Sequence, residues 1–165
     1  MPSPPARPRA GPARPLVLIV DDEASSRMVL GAIFRKLAGG ADIIAFEDPV
    51  QALVWAHRHR AWLVVSDFHM PHMDGGQLVA KLRALAGYAH TPIIVVSASE
   101  HGDELALAAQ AGADRVLPKP MPPHELLAVA ERLIAERGPG AHGKSHGTLS
   151  ALQRLWRRLT LRLPR

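Results

Sequence analysis

The sequence predicts an α/β fold, a doubly wound parallel sheet of five strands with helices on both faces. Three observations carry this. Short runs rich in Val, Ile and Leu alternate five times with stretches of helical periodicity between residues 16 and 137. The runs are apolar almost throughout rather than at every second residue, as in parallel strands covered on both faces. Several of them end in a polar residue, and in open parallel sheets ligands bind beyond the carboxyl ends of the strands.

Each element has its own signal. LVLIV (16–20) is the first strand, followed by a helix over about 24–37 that Gly39-Gly40 stops. DIIAF (42–46) is the second. Asp48-Pro49 opens the next helix, since Asp caps free N–H groups and Pro suits the first turn. WLVVS (62–66) is the third strand, and Asp74-Gly75 reads as the turn before a helix over about 76–85. PIIVVS (92–97) is the fourth, leading to a helix over about 103–111 closed by Gly112. RVL (115–117) is the fifth, and the last helix, over about 123–137, ends at Gly138-Pro139. Right-handed crossovers leave the doubly wound sandwich as the leading topology. Pro118 has no ladder N–H, which places the fifth strand at an edge and agrees with the flavodoxin-like order 2-1-3-4-5.

Charge divides the chain. All 15 acidic residues lie between Asp21 and Glu136, and residues 16–137 carry 11 Lys/Arg against them, so this domain is net negative. The basic balance of the whole chain therefore comes from its ends and does not describe a nucleic-acid-binding core. Residues 1–15 read as a flexible Pro/Arg-rich arm, 138–147 as a Gly-rich linker, and 148–165 as a basic amphipathic helix. In that last segment Leu149, Leu152, Trp156, Leu159 and Leu163 form one stripe, flanked by Arg154, Arg157, Arg158 and Arg162. Packing back on the domain, pairing with a partner or a second copy, and contact with a membrane surface are its readings. DNA contact is disfavoured because no reader fold fits into the 28 residues from 138 to 165, and no enzymatic output module is expected there either. Cysteine is absent, which excludes disulfides and thiolate metal ligation. With no signal-peptide pattern and no run of roughly 20 apolar residues, a cytoplasmic protein is expected.

The strand ends carry the chemistry. In the predicted sheet, strands one and three are neighbours, so Asp21, Asp22 and Asp67 converge. Three adjacent carboxylates repel and raise one another's pKa, a conflict that a hard cation removes. An oxygen-only set favours Mg²⁺ over Zn²⁺. Ser97 adds a hydroxyl and Lys119 a positive point charge suited to phosphate. Nucleophilic carboxylate, metal, hydroxyl and ammonium together describe a phosphoryl-transfer site. The pairs His57/His59 and His69/His72 are not expected to form a separate metal site, the first because i, i+2 positions on a helix point apart. Trp55 and Trp62 are expected to be packed or partly exposed beside the second helix.

Asp21-Asp22-Glu23, the run SDFHMPHMDGG (66–76), Ser97-Ala98, AGAD (111–114) and Lys119-Pro120 occur in this order over residues 16–137. In this respect the chain resembles the receiver domain of two-component response regulators, of the stand-alone, chemotaxis-like type. The resemblance implies that Asp67 is the phosphoacceptor and takes its phosphoryl group from a sensor histidine kinase or a histidine phosphotransfer protein. It implies that Asp22, Asp67 and the backbone carbonyl of His69 hold Mg²⁺, with Asp21 assisting. Ser97 and Lys119 would bind the phosphoryl oxygens, Ala98 would leave room beside them, and Lys119–Pro120 would be cis. Ser26, Arg27 and the loop after Lys119 would meet the kinase. Val116 stands where family members often carry Tyr, Phe or His, and valine can neither swing a ring nor hydrogen-bond. The resemblance also implies signalling through phosphorylation-dependent contacts with a downstream protein rather than turnover of an external substrate. A phosphatase with an aspartate nucleophile is disfavoured, because that nucleophile usually follows the first strand. Two alternatives stand beside this reading. One is an effector whose basic helix binds membrane or nucleic acid under the control of the receiver; the other is the receiver portion of a longer regulator with an enzymatic output domain.

Overall fold

The computed structural model describes residues 14–37, 40–98 and 102–137. Five strands and five helices alternate: β1 (Leu16–Val20), α1 (Ala24–Phe34), β2 (Asp42–Phe46), α2 (Pro49–Ala56), β3 (Leu63–Asp67), α3 (Gly75–Ala84), β4 (Ile93–Ser97), α4 (Gly102–Gln110), β5 (Arg115–Pro118) and α5 (Pro123–Arg137). All pairings are parallel and the order is β2-β1-β3-β4-β5, the predicted topology.

The sequence explains the order. β3 and β4 are buried at every residue, and β1 at all but its first. β2 and β5 begin with the charged Asp42 and Arg115 and are only partly covered, as suits the two edges. Successive side chains of a strand point to opposite faces, so each central strand feeds two cores. Leu18, Val20, Val64 and Val95 meet Ala52 of α2, Leu78, Val79 and Leu82 of α3, and Ala108 of α4. Val17, Ile19, Leu63, Val65 and Ile94 meet Leu30, Ile33 and Phe34 of α1 and Leu126, Ala130 and Leu133 of α5. Each fully buried aliphatic side chain stabilises by roughly 1.5–3 kcal/mol.

Several boundaries differ from expectation, each for a local reason. α1 stops at Phe34 instead of 37, because Lys36 and Leu37 tighten into bonds with the carbonyls three residues back, Ile33 and Phe34. α2 stops at Ala56, so His57 caps it and His59 lies beyond it, which corrects the placement of both histidines on the helix. There the His59 ring stacks on Trp55, with centroids 4.7 Å apart, while Trp55 also meets Phe46. β3 begins at Leu63 and runs one residue further than expected, which makes Asp67 its last residue. β5 includes Pro118, paired on one side only, opposite Ser97. The caps follow the sequence: Asp48 accepts from Val50 N, and Asp74 forms a reciprocal capping box with Gln77. Residues 1–13 of the arm, the linker 138–147 and the amphipathic segment 148–165 lie outside the described residues.

Candidate functional site

The sheet register brings the strand-end residues together. Val20 is level with Ser66, Asp67 with Val96, and Ser97 with Pro118. Asp21, Asp67, Ser97 and Lys119 therefore leave four adjacent strands at one end of the sheet. The Lys119 ammonium lies between two carboxylates, 2.6 Å from Asp67 Oδ1 and 3.3 Å from Asp21 Oδ2. Its backbone N–H donates to the Ser97 carbonyl at 2.7 Å, and the Lys119–Pro120 bond is cis, as expected.

Asp21 is 1% exposed and held by donors on both oxygens. Oδ1 accepts from Glu23 N at 2.9 Å, and Oδ2 from Ser26 Oγ at 2.5 Å and from Lys119. Asp22, one residue on, is exposed. Asp67 Oδ2 accepts from the backbone N–H of His69 at 3.0 Å, which fixes the start of the loop after β3. α3 comes up hard against that loop. A Cβ on Gly75 would lie 2.5 Å from the Asp67 carbonyl oxygen, so only glycine lets the helix start here.

Three contributors escaped the sequence reading. Besides the Ser26 hydroxyl there is the Arg27 guanidinium, whose Nη1 donates to the carbonyls of Asp21 and Asp22 at 2.8 and 3.0 Å and whose Nη2 pairs with Glu47. Ser26 and Arg27 carried only a kinase-contact expectation. Glu104, in the first turn of α4, reaches both Ser97 and His69. Nothing in its spacing from Asp67 marks it, since the contact depends on where α4 docks.

The electrostatics follow from this crowding. Burial pushes the Asp67 carboxyl above its usual range, the Lys119 hydrogen bond and charge oppose that, and the Asp21 charge adds to it. For Lys119, burial alone would lower the pKa. The hydrogen bond and charge of Asp67, followed by those of Asp21, outweigh burial and hold the ammonium above its usual value. The two directions are compatible, because Asp67 must share one cation with Asp21 whereas Lys119 has two anions.

A divalent cation fits the donor set but not as a closed cage. Among the described residues no three His, Cys, Asp or Glu side chains are gathered closely enough to hold an ion alone. Mg²⁺ keeps several of its waters and takes only one or two carboxylates from a protein, and the two that the structure brings together are Asp21 and Asp67, on either side of Lys119.

A family model described as the response regulator receiver domain matches residues 17–131. The chain belongs to this family. As a receiver it is 35% identical over 141 residues to the cyclic di-GMP phosphodiesterase response regulator RpfG of Xanthomonas campestris, covering 84% of this chain and 36% of that protein. It is also 35% identical over 136 residues to the transcriptional regulatory protein PrrA of Mycobacterium bovis, covering 82% of this chain and 56% of PrrA. The chain thus spans between about a third and somewhat over half of these relatives. Among solved structures it superposes on the receiver domain of a sensor histidine kinase of Pseudomonas aeruginosa with a TM-score of 0.68 and 29% identity, over 74% of this chain and 98% of that one. That structure holds a magnesium ion in its active-site cleft. Phosphoryl acceptance on aspartate and Mg²⁺ binding are general features of receivers, and the chain is a two-component signalling module of this kind. No helix among the described residues is long and apolar enough to cross a membrane.

Proposed function

We propose that Asp67 is the phosphoacceptor of this receiver, with the phosphohistidine of a sensor histidine kinase or a histidine phosphotransfer protein as donor. The observation that carries this is the Lys119 ammonium held between Asp67 and the buried Asp21. An Asp67 carboxylate oxygen attacks phosphorus, a P–O bond forms, the P–N bond breaks, and the imidazole nitrogen leaves with the bonding pair. Lys119 follows the charge onto the phosphoryl oxygens, and the Ser97 hydroxyl donates to another of them. Asp21, Asp22, Asp67 and the His69 backbone carbonyl would hold Mg²⁺, which when bound neutralises phosphoryl charge. Ser26 and Glu23 N keep Asp21 in place from behind.

The output is a change in protein contacts, read by a downstream protein in the cytoplasm, without turnover of an external substrate. A second reading has one observation in its favour. The match to RpfG extends over 84% of this chain, so the receiver of a longer regulator with an enzymatic output domain has the same form. Incubation with acetyl phosphate and Mg²⁺ tests the acceptor. Acid-stable, base-labile acyl-phosphate labelling is expected in the wild type and in Asp74→Asn, and its loss in Asp67→Asn. Label retained in Asp67→Asn would overturn the assignment.

A further inference from the structure

Glu104 has no part in the transfer just described, yet it touches both sides of the acceptor. Its Oε2 accepts from Ser97 Oγ at 3.3 Å, and its Oε1 lies 3.1 Å from Nε2 of His69, two residues beyond Asp67. The carboxylate is 27% exposed, so water screens these contacts only in part. It tethers α4 to β4 and to the loop after β3. Those tethers matter because α4 is shallowly anchored: Ala108 is its one fully buried residue among those described, and Leu107 is 57% exposed.

We propose that Glu104 is a positioning residue that competes with the phosphoryl group for the Ser97 hydroxyl, so that phosphorylation of Asp67 releases the first turn of α4. The inference rests on Asp67 being the acceptor. A hydroxyl carries a single proton, which cannot be donated to a carboxylate and to a phosphoryl oxygen at once. A phosphoryl group on Asp67 also sets an anion beside the carboxylate, and like charges at this spacing repel. The resting chain therefore holds Ser97 and His69 through Glu104. The phosphorylated chain gives up both Glu104 contacts, and the first turn of α4 loses these two tethers.

The experiment uses the full chain with Glu104→Gln, Glu104→Ala and, as a control, Asp103→Asn. The control removes an acid from the same helical turn, and Asp103 is exposed. Two quantities are read: amide hydrogen exchange over residues 102–110, and the fraction labelled at limiting acetyl phosphate with Mg²⁺. In the wild type, labelling should speed exchange in 102–110 by roughly threefold to tenfold, the range that one or two lost hydrogen bonds produce. In Glu104→Ala the exchange should already be fast without phosphate, and the labelled fraction at limiting donor should rise several-fold. Glu104→Gln should show a smaller rise in labelling, because it keeps an acceptor but loses the charge. Asp103→Asn should behave as wild type in both, which a purely helix-stabilising role for acids in this turn would not produce. If the wild type takes label while Glu104→Ala leaves both exchange and labelling unchanged, the competition is overturned and the acceptor stands. If the wild type takes no label, the acceptor reading fails and this one with it.

Discussion

The two ends of the sheet are built on opposite principles. Where the strands finish, Asp21 and Asp67 share one lysine and Asp22 stands beside them in water. Where the strands begin, one arginine makes four hydrogen bonds. Arg83, at the end of α3, donates from Nε to the Gly112 carbonyl, from Nη1 to the carbonyls of Tyr88 and Thr91, and from Nη2 to Asp114. Asp114, whose side chain is 5% exposed, also accepts from Ile93 N and pairs with Arg137 at the end of α5. Tyr88 is fully buried, donates to the His59 carbonyl and accepts from Ala61 N. One end is cross-braced; at the other, two carboxylates, Asp21 and Asp67, crowd the single ammonium of Lys119.

Variants that break this contrast should differ in size and in sign. The largest effect is expected for Arg83→Lys, a substitution that keeps the charge. Lysine cannot reproduce the planar fork, so carbonyls and a buried carboxylate lose partners, and chemical denaturation should show a loss of roughly 3 kcal/mol. A change below half that size would mean that the brace is not what holds this end.

Lys119→Ala comes next, at about 2 kcal/mol, because it leaves the Asp21 and Asp67 charges facing each other while water reaches only part of the gap. The folded ammonium has a raised pKa, so its contribution is present at neutral pH, is lost as pH climbs through that value, and also fades at low pH once its carboxylate partners are protonated. The deficit of the variant should accordingly shrink as pH falls into the carboxylate range. Millimolar Mg²⁺ should recover part of it at neutral pH. A pH-independent deficit would indicate lost packing instead.

Tyr88→Phe should cost about 1 kcal/mol through its two hydrogen bonds. Burial pushes the Tyr88 hydroxyl up to about 12, above its usual 10. The unfolded chain therefore releases that proton first, and wild-type stability should fall between these two pH values while the Phe variant lacks this part of the decline.

The smallest effect has the opposite sign. The folded Asp67 carboxyl keeps its proton to higher pH than the unfolded one, so stability falls as pH rises through that window and the ionised group is a net cost at neutral pH. Asp67→Asn should raise Tm by roughly 2–5 °C while abolishing labelling. A drop in Tm would mean that its pairing with Lys119 outweighs its burial.

Much of this contrast was legible in the chain. The apolar runs, the edge-placing Pro118 and the capping residues Asp48 and Asp74 are local signals, and the elements stand where they point, within one to three residues. The acidic end was legible too, because its members sit at strand ends and a parallel sheet brings strand ends together. The braced end was not. Arg83 and Asp114 look like ordinary surface charges in the sequence, where Asp114 stands only as the last residue of the AGAD run.

The sequence by itself determined the alternation of elements and the strand order, and it pointed to the set Asp21, Asp22, Asp67, Ser97 and Lys119. Periodicity and turn chemistry act over a few residues and can be read one segment at a time. Only the tertiary structure decided which oxygen meets which donor. It put the Lys119 ammonium within reach of Asp21, 98 positions earlier in the chain, fixed Ser26 behind that carboxylate, and brought Glu104 onto Ser97 and His69. Such contacts depend on strand register and helix docking to within an ångström, because hydrogen bonds weaken steeply with distance and angle. No one-dimensional pattern carries that information.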